Sequence, residues 1–309
     1  MLRRLLLSVA SSPRIKRGIE VVPVTRSVVN RFVAGEDVDS AIAAARQLVA
    51  DGMLASIDRL GESVAEIEQA KATTDAYIAL LKAISDSGES VSTEVSLKLS
   101  SLGQGLGDDG ARIALENAQL VCAAARDAGT TVTVDMEDHT TTDATLSAVR
   151  ALRQDFPTVG AVVQAYLRRT EADCRDLAGE GSRVRLCKGA YREPASVAHQ
   201  DRAAVDLSYV RCLRVLMHGK GYPMVATHDP RLVAITGAMA LQSGRTKGEY
   251  EYQMLLGIRP DEQRRLAARG EKIRVYVPYG AEWYPYLMRR LAERPANVSF
   301  FLRALASKR

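Results

Sequence analysis

Two adjacent arginines near the C-terminus, Arg289 and Arg290, follow Tyr286 in the stretch YGAEWYPYLMRRLAERPANVSF, residues 279–300. A helix that begins near Trp283 would place all three side chains on one face, because residues three and four positions apart are neighbours on a helix surface. A pair of arginines can hold a carboxylate by charge-assisted hydrogen bonds, and it can equally be a pair of solvated surface charges. The position of this helix in the fold decides between the two interpretations.

The composition is that of a globular protein with a large core. The chain has 309 residues, of which 47% are hydrophobic and 26% are charged, a length that suits two modest domains or one large α/β barrel. Its four cysteines are far apart and form no C-x-x-C pair, which argues against a disulfide framework or a zinc site. No stretch approaches the length of a membrane span.

The net charge of +5 is concentrated at the start of the chain. Residues 1–31 contain seven basic residues and one acidic residue, so the remainder of the chain sums to about −1. A net charge of about −1 over the remainder of the chain is not typical of a nucleic-acid-binding protein. The basic, amphipathic N-terminus could contact an anionic membrane surface, or it could be a solvated terminal segment.

Eight short β-branched or apolar segments alternate with stretches that can form helices. These predicted strands cover residues 53–58, 94–100, 131–137, 160–166, 183–189, 223–229, 249–255 and 272–278. Eight strand–helix repeats predict a closed (β/α)8 barrel of the TIM type. We expect the barrel over residues 51–309, preceded by an N-terminal helical extension over residues 1–50. A doubly wound open sheet is the alternative, but no G-x-G-x-x-G opens a helix after a strand.

Start and stop signals mark several of the predicted helices. Ser63 and Glu66 predict a capping box for a helix that ends before Gly88. Asp229 followed by Pro230 predicts an N-cap and a first helical residue. Four further glycines stand where helices should end: Gly129, Gly219, Gly244 and Gly270.

Strand alternation predicts polar side chains inside the barrel. Lys98, Asp135, Gln164 and Tyr276 lie near strand ends and alternate with apolar residues that should pack on the helices. Polar groups inside a barrel are costly unless they satisfy one another or a ligand. Because chemistry in such barrels occurs at the C-terminal ends of the strands, we predict a site there. The last helix follows the eighth strand, so its arginines should lie above this site.

The fifth predicted strand contains a conflict. Arg185 and Lys188 have opposite parity, so a regular strand cannot direct both side chains inward. If both serve one site, the strand must end near Leu186 or contain a bulge.

Seven segments together resemble one enzyme family. They are SLKLS (96–100), VDMED (134–138), RLCKGAY (185–191), ATHD (226–229), QMLLG (253–257), RVYVPYG (274–280) and YLMRRLAERPANVSF (286–300). From about residue 55 to the C-terminus, this set resembles the proline dehydrogenase family, and its monofunctional bacterial members in particular. The resemblance implies an FAD-containing (β/α)8 barrel that oxidises L-proline to Δ1-pyrroline-5-carboxylate and passes the electrons to a membrane quinone.

The resemblance assigns eight residues to the substrate side of the site. They are Glu62, Lys98, Asp135, Leu186, Tyr276, Tyr286, Arg289 and Arg290. Lys98 and the two arginines would surround the proline carboxylate, while the two tyrosines and the leucine would shape the pocket over the pyrrolidine ring. Asp135 would hold Lys98 in place, and Glu62 would pair with Arg289 as a gate.

The resemblance assigns ten residues to the flavin. They are Gln164, Arg185, Lys188, Gly189, Ala190, Thr227, His228, Glu293, Asn297 and Ser299. Arg185 would lie beside flavin N5, where a positive charge stabilises the reduced flavin. Gln164 would contact the pyrimidine edge and Glu293 the adenosine ribose. Residues 188–190, together with Thr227 and His228, would follow the ribityl and pyrophosphate chain.

Two positions depart from the pattern of the longer relatives. Arg192 stands where those relatives carry an aromatic residue, and Asp229 stands where they carry Asn. Both changes alter the surroundings of the flavin without removing a group that the chemistry requires. Tyr286 is retained, which favours proline over hydroxyproline by filling space at the ring.

The resemblance also implies partners and a location. We expect a cytoplasmic protein with a quinone acceptor and no nucleic-acid partner. A peripheral contact of the basic N-terminus with the inner face of the plasma membrane is left open, as is a pyrroline-5-carboxylate dehydrogenase partner.

Two other enzyme classes are alternatives. A metal-dependent barrel hydrolase or aldolase could use residues 135–139 with His228 and Asp229, although the usual spaced pair of histidines is missing. A Schiff-base aldolase could use Lys98 or Lys188, but it would not explain the pair of arginines. A non-enzymatic scaffold would leave the inward polar residues unexplained.

Overall fold

A closed barrel of eight parallel strands, hydrogen-bonded in sequence order, forms the centre of the protein. The structure is a computed structural model that describes residues 29–61 and 64–293, apart from the side chains of residues 289 and 291–293. The last strand pairs with the first and closes the barrel. The strands are β1 Leu54–Arg59, β2 Thr93–Leu97, β3 Val132–Val134, β4 Gly160–Gln164, β5 Arg183–Cys187, β6 Tyr222–Ala226, β7 Glu251–Leu255 and β8 Ile273–Tyr279. The predicted (β/α)8 barrel is confirmed.

Helices follow the strands and surround the barrel. They are α1 Val38–Ala50, α2 Ile67–Ser87, α3 Gly110–Asp127, α4 Thr142–Asp155, α5 Thr170–Leu177, α6 Arg202–His218, α7 Pro230–Gln242, α8 Pro260–Ala268 and α9 Trp283–Glu293. Among the described residues, none of these helices is both long and apolar enough to cross a membrane.

The helix signals are borne out except at the start of α2. Helix α2 begins at Ile67, so Glu66 is its N-cap and forms a capping box with Gln69, and the predicted box of Ser63 with Glu66 is wrong because the helix begins later than expected. The helix ends before Gly88 as predicted, and the φ of 80° at Gly88 is the left-handed conformation that glycine adopts without strain. At α7 the Asp229 side chain accepts a hydrogen bond from the Arg231 N–H, as an N-cap should, and proline occupies the first turn.

The main apolar core lies between the strands and the helices. Along β1, Ala55 and Ile57 are fully buried in this core and alternate with inward-facing polar residues. Helix α1 packs against β1 and β8 and buries Ala41 and Ala45 in the same core. The described part of the predicted N-terminal extension therefore shares its apolar core with the barrel.

The five strands β2 to β6 end earlier than predicted. β5 ends at Cys187, and Gly189 follows with a φ of 109°, so the backbone turns away from the barrel axis at that point. Arg185 therefore faces the interior while Lys188 lies in the loop beyond the strand. The conflict of parity is resolved by an early strand end, which is one of the two expected solutions.

Candidate active site

Five side chains at the C-terminal ends of the strands form what we term the mouth cluster: Asp58, Lys98, Asp135, Arg185 and Tyr276. The Lys98 ammonium donates to both Asp58 oxygens at 2.9 Å and lies 3.6 Å from Asp135 Oδ2. The Tyr276 hydroxyl donates to Asp135 Oδ2 at 2.7 Å. The inward direction of Lys98, Asp135 and Tyr276 agrees with the prediction from strand alternation.

Arg185 crosses the middle of the barrel. Its guanidinium donates to Asp135 Oδ1 at 2.6 Å, to Gln253 Oε1 at 2.5 Å and to Ser96 Oγ at 3.0 Å. The same guanidinium lies 5.4 Å from the centroid of the Tyr276 ring. An arginine held by this many partners is fixed in one orientation and keeps its charge inside the barrel.

The electrostatics of the mouth favour a protonated lysine. Burial alone would lower the pKa of Lys98, but Asp58, Asp135 and Glu137 raise it above its ordinary value. Burial raises the pKa of Asp58 and the Asp135 charge adds to this effect, while Lys98 opposes it. Lys98 is therefore a cation that is 24% exposed at the barrel opening, where it can face an anion.

A second charged group, which we term the floor cluster, fills the other end of the barrel: Glu94, Arg183, Glu251 and Arg274. Glu94 accepts a hydrogen bond from Arg183 at 2.5 Å and lies 3.8 Å from Arg274, which donates to Glu251 at 2.8 Å. Burial alone would raise the pKa of Glu94, but Arg183, Arg274 and Arg185 together lower it to about 2. These four residues satisfy one another at the N-terminal ends of the strands.

Helix α9 lies across the barrel opening. Its residues Tyr286, Leu287 and Met288 share an apolar cluster with Leu60, which follows β1, and with Ile258, which follows β7. The Arg290 guanidinium lies 5.3 Å from the centroid of the Tyr286 ring. The two side chains therefore share one helix face, as their spacing predicts.

Arg290 also acts on the end of β5. Burial raises the pKa of the Cys187 thiol to about 11, and the charges of Arg185 and Arg290 oppose this rise. Trp283, at the start of α9, is buried and donates to Glu36 Oε1 at 2.9 Å, which ties the helix to the N-terminal segment.

The residues predicted to contact a phosphate chain lie together beyond β5 and β6. Lys188 forms ion pairs with Asp206, which lies on α6, and with Asp229, which lies at the N-terminus of α7. Thr227 Oγ1 accepts from the Asp229 N–H at 3.1 Å. His228 Nε2 accepts from the Leu255 N–H at 3.0 Å, which turns its ring towards β7. A cation beside the start of a 13-residue helix suits an anionic group.

Three other predicted residues are placed as follows. Gln164 is buried, and its amide donates to the Glu137 carbonyl at 2.6 Å on the barrel side of β4. Ala190 is exposed in the loop after β5. Leu186 is fully buried in the main apolar core, and strand alternation turns it away from Arg185, so the structure does not bring it into the mouth cluster.

The remaining predicted site residues cannot be placed. Glu62, Asn297 and Ser299 lie outside the described residues, and so does the basic N-terminus through residue 28. Arg289 and Glu293 lie on α9, but their side chains are outside the described part of the structure. Their assignments stay predictions.

Sequence reasoning missed three inward residues, Asp58, Glu251 and Gln253. It assigned the lysine-holding role to Asp135, whereas Asp58 makes the shorter contacts with Lys98. It assigned no role to Glu251 or Gln253, although both are buried in the barrel. The signal was available, since Glu251 and Gln253 each lie between apolar or aromatic residues in their strand, and Asp58 has the same parity as Ser56 in β1.

The described residues do not favour the alternative enzyme classes. No cluster of three potential metal ligands occurs in residues 29–61 and 64–293. Asp135 pairs with Arg185, and the His228 ring bonds the backbone of β7. A Schiff-base lysine needs a lowered pKa, and the Lys98 pKa is raised.

Comparison with known proteins agrees with the fold and the motifs. The family model described as proline dehydrogenase matches residues 41–303. Proline dehydrogenase 1 of Bacillus subtilis is 38% identical over 92% of each chain. Proline dehydrogenase of Deinococcus radiodurans is 39% identical over 98% of this chain and 97% of that protein.

A solved structure supports the fold. The crystal structure of proline utilization A (PutA) from Bdellovibrio bacteriovorus, inactivated by N-propargylglycine, superposes with a TM-score of 0.81 at 23% identity. The match covers 92% of this chain and 34% of that one. Fold and site define a (β/α)8-barrel enzyme with a charged mouth under a terminal helix. The chain belongs to the proline dehydrogenase family, as its motifs predict.

Proposed function

We propose that this protein binds FAD at the barrel mouth and oxidises L-proline to Δ1-pyrroline-5-carboxylate. In this reaction a hydride leaves the ring carbon beside the nitrogen, the nitrogen loses a proton, and a C=N bond forms. FAD supplies the hydride acceptor when it is bound. Family membership supports both the substrate and the reaction type.

One observation carries the proposal: a protonated lysine lies at the barrel opening with an arginine-bearing helix above it. Lys98 and Arg290 can bind the substrate carboxylate by charge-assisted hydrogen bonds, and Arg289 is expected to join them. The aromatic rings of Tyr276 and Tyr286 supply apolar surface for a pyrrolidine ring.

The donor set fits FAD. A flavin needs no dinucleotide motif if loops and strand ends supply donors and cations to its phosphates. Lys188, the Thr227 hydroxyl and the N-terminus of α7 form such a set. Arg185 places a fixed positive charge in the barrel interior, next to which a reduced flavin would be stabilised. Gln164 offers an amide for the pyrimidine edge.

Positioning is the main contribution that these residues would make. Hydride transfer from a carbon beside a neutral amine needs little acid–base machinery, but it does need the C–H bond to face its acceptor. A carboxylate held by Lys98 and Arg290 fixes one end of a small substrate. Asp58 and Asp135 hold Lys98 in turn.

The electron acceptor and the partners are part of the proposal. A quinone would take up the electrons, and the basic residues 1–31 would bring the protein to an anionic membrane surface. A pyrroline-5-carboxylate dehydrogenase would consume the product. The PutA protein of Escherichia coli, described as bifunctional, is 27% identical to this chain over 25% of its own length.

The test is the visible absorption spectrum of the purified protein without oxygen. We expect flavin bands that bleach on addition of L-proline and persist on addition of L-prolinamide, which lacks the carboxylate. Flavin bands untouched by proline would overturn the substrate, and equal bleaching by prolinamide would overturn the carboxylate clamp. A colourless protein that FAD cannot reconstitute would overturn the whole proposal.

A further inference from the structure

A buried carboxylate lies in the loop that joins β5 to α6. Of residues 190–196, only Glu193 is buried, and its side chain is 3% exposed. Three donor groups surround it: the His139 N–H at 2.9 Å, the Tyr166 hydroxyl at 3.2 Å and the His139 ring, whose Nδ1 contacts Glu193 Oε2. Burial of a carboxylate is unfavourable unless hydrogen-bond donors compensate it, and these three donors supply that compensation.

The partners of Glu193 come from two other strand ends. His139 follows β3 and Tyr166 follows β4, so the carboxylate joins three consecutive loops on the mouth side of the barrel. Burial and the Glu193 charge raise the pKa of Tyr166, which keeps its hydroxyl protonated as a donor. Glu193 is therefore an acceptor at the centre of a fixed set of donors.

The same loop is fitted closely to Tyr166. The Tyr166 N–H donates to the Lys188 carbonyl at 2.9 Å, and its carbonyl accepts from the His199 N–H at 2.8 Å, so both ends of the loop are held. A Cβ atom on Gly189 would lie 2.3 Å from the Tyr166 ring, so the backbone runs directly over that ring. Gly189 has a φ of 109°, which a side-chain-bearing residue rarely adopts.

From this geometry we infer that Glu193 is a positioning residue for the cofactor. It sets the conformation of residues 188–192, so that Lys188 and the backbone after it face the phosphate chain of the flavin. The inference rests on the proposed function, because those residues are the proposed flavin contacts. Glu193 acts through the loop and touches neither the substrate nor the mouth cluster.

The experiment compares three variants with a matched control. Glu193→Ala removes the acceptor, Glu193→Gln keeps one acceptor oxygen without the charge, and Tyr166→Phe removes one donor but keeps the ring under Gly189. Glu180→Gln, at an exposed glutamate just before β5, is the control. FAD affinity is measured by titrating the apoprotein, and proline kinetics are measured at saturating FAD.

We expect a graded loss of flavin affinity. The FAD dissociation constant should rise about tenfold in Glu193→Ala, because hydrogen bonds to a buried charge are lost, and less in the other two variants. KM for proline at saturating FAD should stay within about twofold of the wild type, because the mouth cluster is intact. The control should match the wild type in both measurements.

A second measurement does not depend on flavin. In the Glu193→Ala apoprotein, hydrogen exchange should become faster in peptides that cover residues 188–200. Exchange in peptides from α2 should stay unchanged. Unchanged exchange in the loop, or an unchanged FAD dissociation constant, would overturn the inference. A parallel rise in KM and faster exchange throughout the barrel would also overturn it, by indicating general destabilisation. Failure of the wild type to bind flavin would instead overturn the proposed function, and this inference with it.

Discussion

The two charged clusters inside the barrel have similar composition and different surroundings. The mouth cluster contains two carboxylates and two cations, Asp58, Asp135, Lys98 and Arg185, with Tyr276. The floor cluster also contains two carboxylates and two cations, Glu94, Glu251, Arg183 and Arg274. The most exposed side chain of the floor cluster, Arg183, is 14% exposed, whereas Lys98 in the mouth cluster is 24% exposed. The two clusters therefore have the same charge balance, and the mouth cluster has the more exposed cation.

This difference separates a structural cluster from a binding cluster. Floor residues satisfy one another completely around Glu94, so the addition of a ligand would gain nothing there. Mouth residues present Lys98 to the opening, where the proposed substrate carboxylate would bind. The two clusters are connected, because Gln253 accepts from Arg185 and donates to Glu251. A stable floor can thus hold Arg185 in place beneath the site.

The largest expected effect concerns the floor. In Glu94→Gln the carboxylate that pairs with Arg183 is lost, and Arg185 and Arg274 each lose one of two carboxylate partners inside the barrel. We expect the free energy of unfolding to fall by about 3–5 kcal/mol in urea denaturation at pH 7. Glu116→Gln, at an exposed glutamate paired with Arg112 on α3, should change it by less than about 1 kcal/mol. Equal losses in both variants would contradict the distinction between buried and surface pairs.

The same residue predicts a pH dependence of stability. Since the folded pKa of Glu94 lies below its ordinary value of 4.5, at about 2, its contribution is fully present above pH 4.5 and is lost as the pH falls towards 2. A shift of this size corresponds to about 3 kcal/mol. The difference in unfolding free energy between wild type and Glu94→Gln should therefore shrink as the pH is lowered from 5 to 3. A difference that stays constant over this range would show that the charge is not its source.

The fold was predictable because its signals repeat. Eight alternating segments specify a barrel even when individual strand ends are misjudged, and strand parity alone directs Lys98, Asp135 and Tyr276 inward. Parity cannot say which inward residues touch, because that depends on the stagger between strands. For this reason Asp58 was missed as the partner of Lys98, although it lies at the end of β1, the strand that pairs with β2.

The cofactor side was predictable to a smaller extent. Residues 188–190 were assigned through the resemblance of their motif, and nothing in their spacing reveals the carboxylate that holds them. Glu193 lies in an exposed, non-periodic loop, where burial follows from contacts with His139 and Tyr166 that are distant in sequence. Long-range loop contacts of this kind carry no local pattern.

A mutation at the mouth should affect the binding of the substrate. Lys98→Met keeps much of the side-chain volume and removes the charge that faces the opening. We expect kcat/KM for proline to fall roughly a hundredfold, mainly through KM, because a hydrogen-bonded charge pair with the substrate carboxylate is lost. Lys82→Met, at an exposed lysine paired with Asp86 on α2, is the control and should leave the kinetics unchanged. A normal KM in Lys98→Met would remove Lys98 from the carboxylate site.

The smallest expected effect concerns the edge of the mouth, where Asp229 both caps α7 and pairs with Lys188. Arg231 and Lys188 hold the pKa of Asp229 below its ordinary value, so the residue is ionised and competes with any phosphate for Lys188. Asp229→Asn keeps an N-cap of equal quality, so stability should change by less than about 0.5 kcal/mol. Removal of the competing charge should lower the FAD dissociation constant about two- to threefold. Asp201→Asn, at the N-cap of α6, alters a cap without a lysine partner and should leave flavin affinity unchanged. Weaker FAD binding in Asp229→Asn would mean that this carboxylate orients Lys188 towards the cofactor. Cofactor binding at the edge of the mouth would then require an intact ion pair, just as the stability of the floor cluster does.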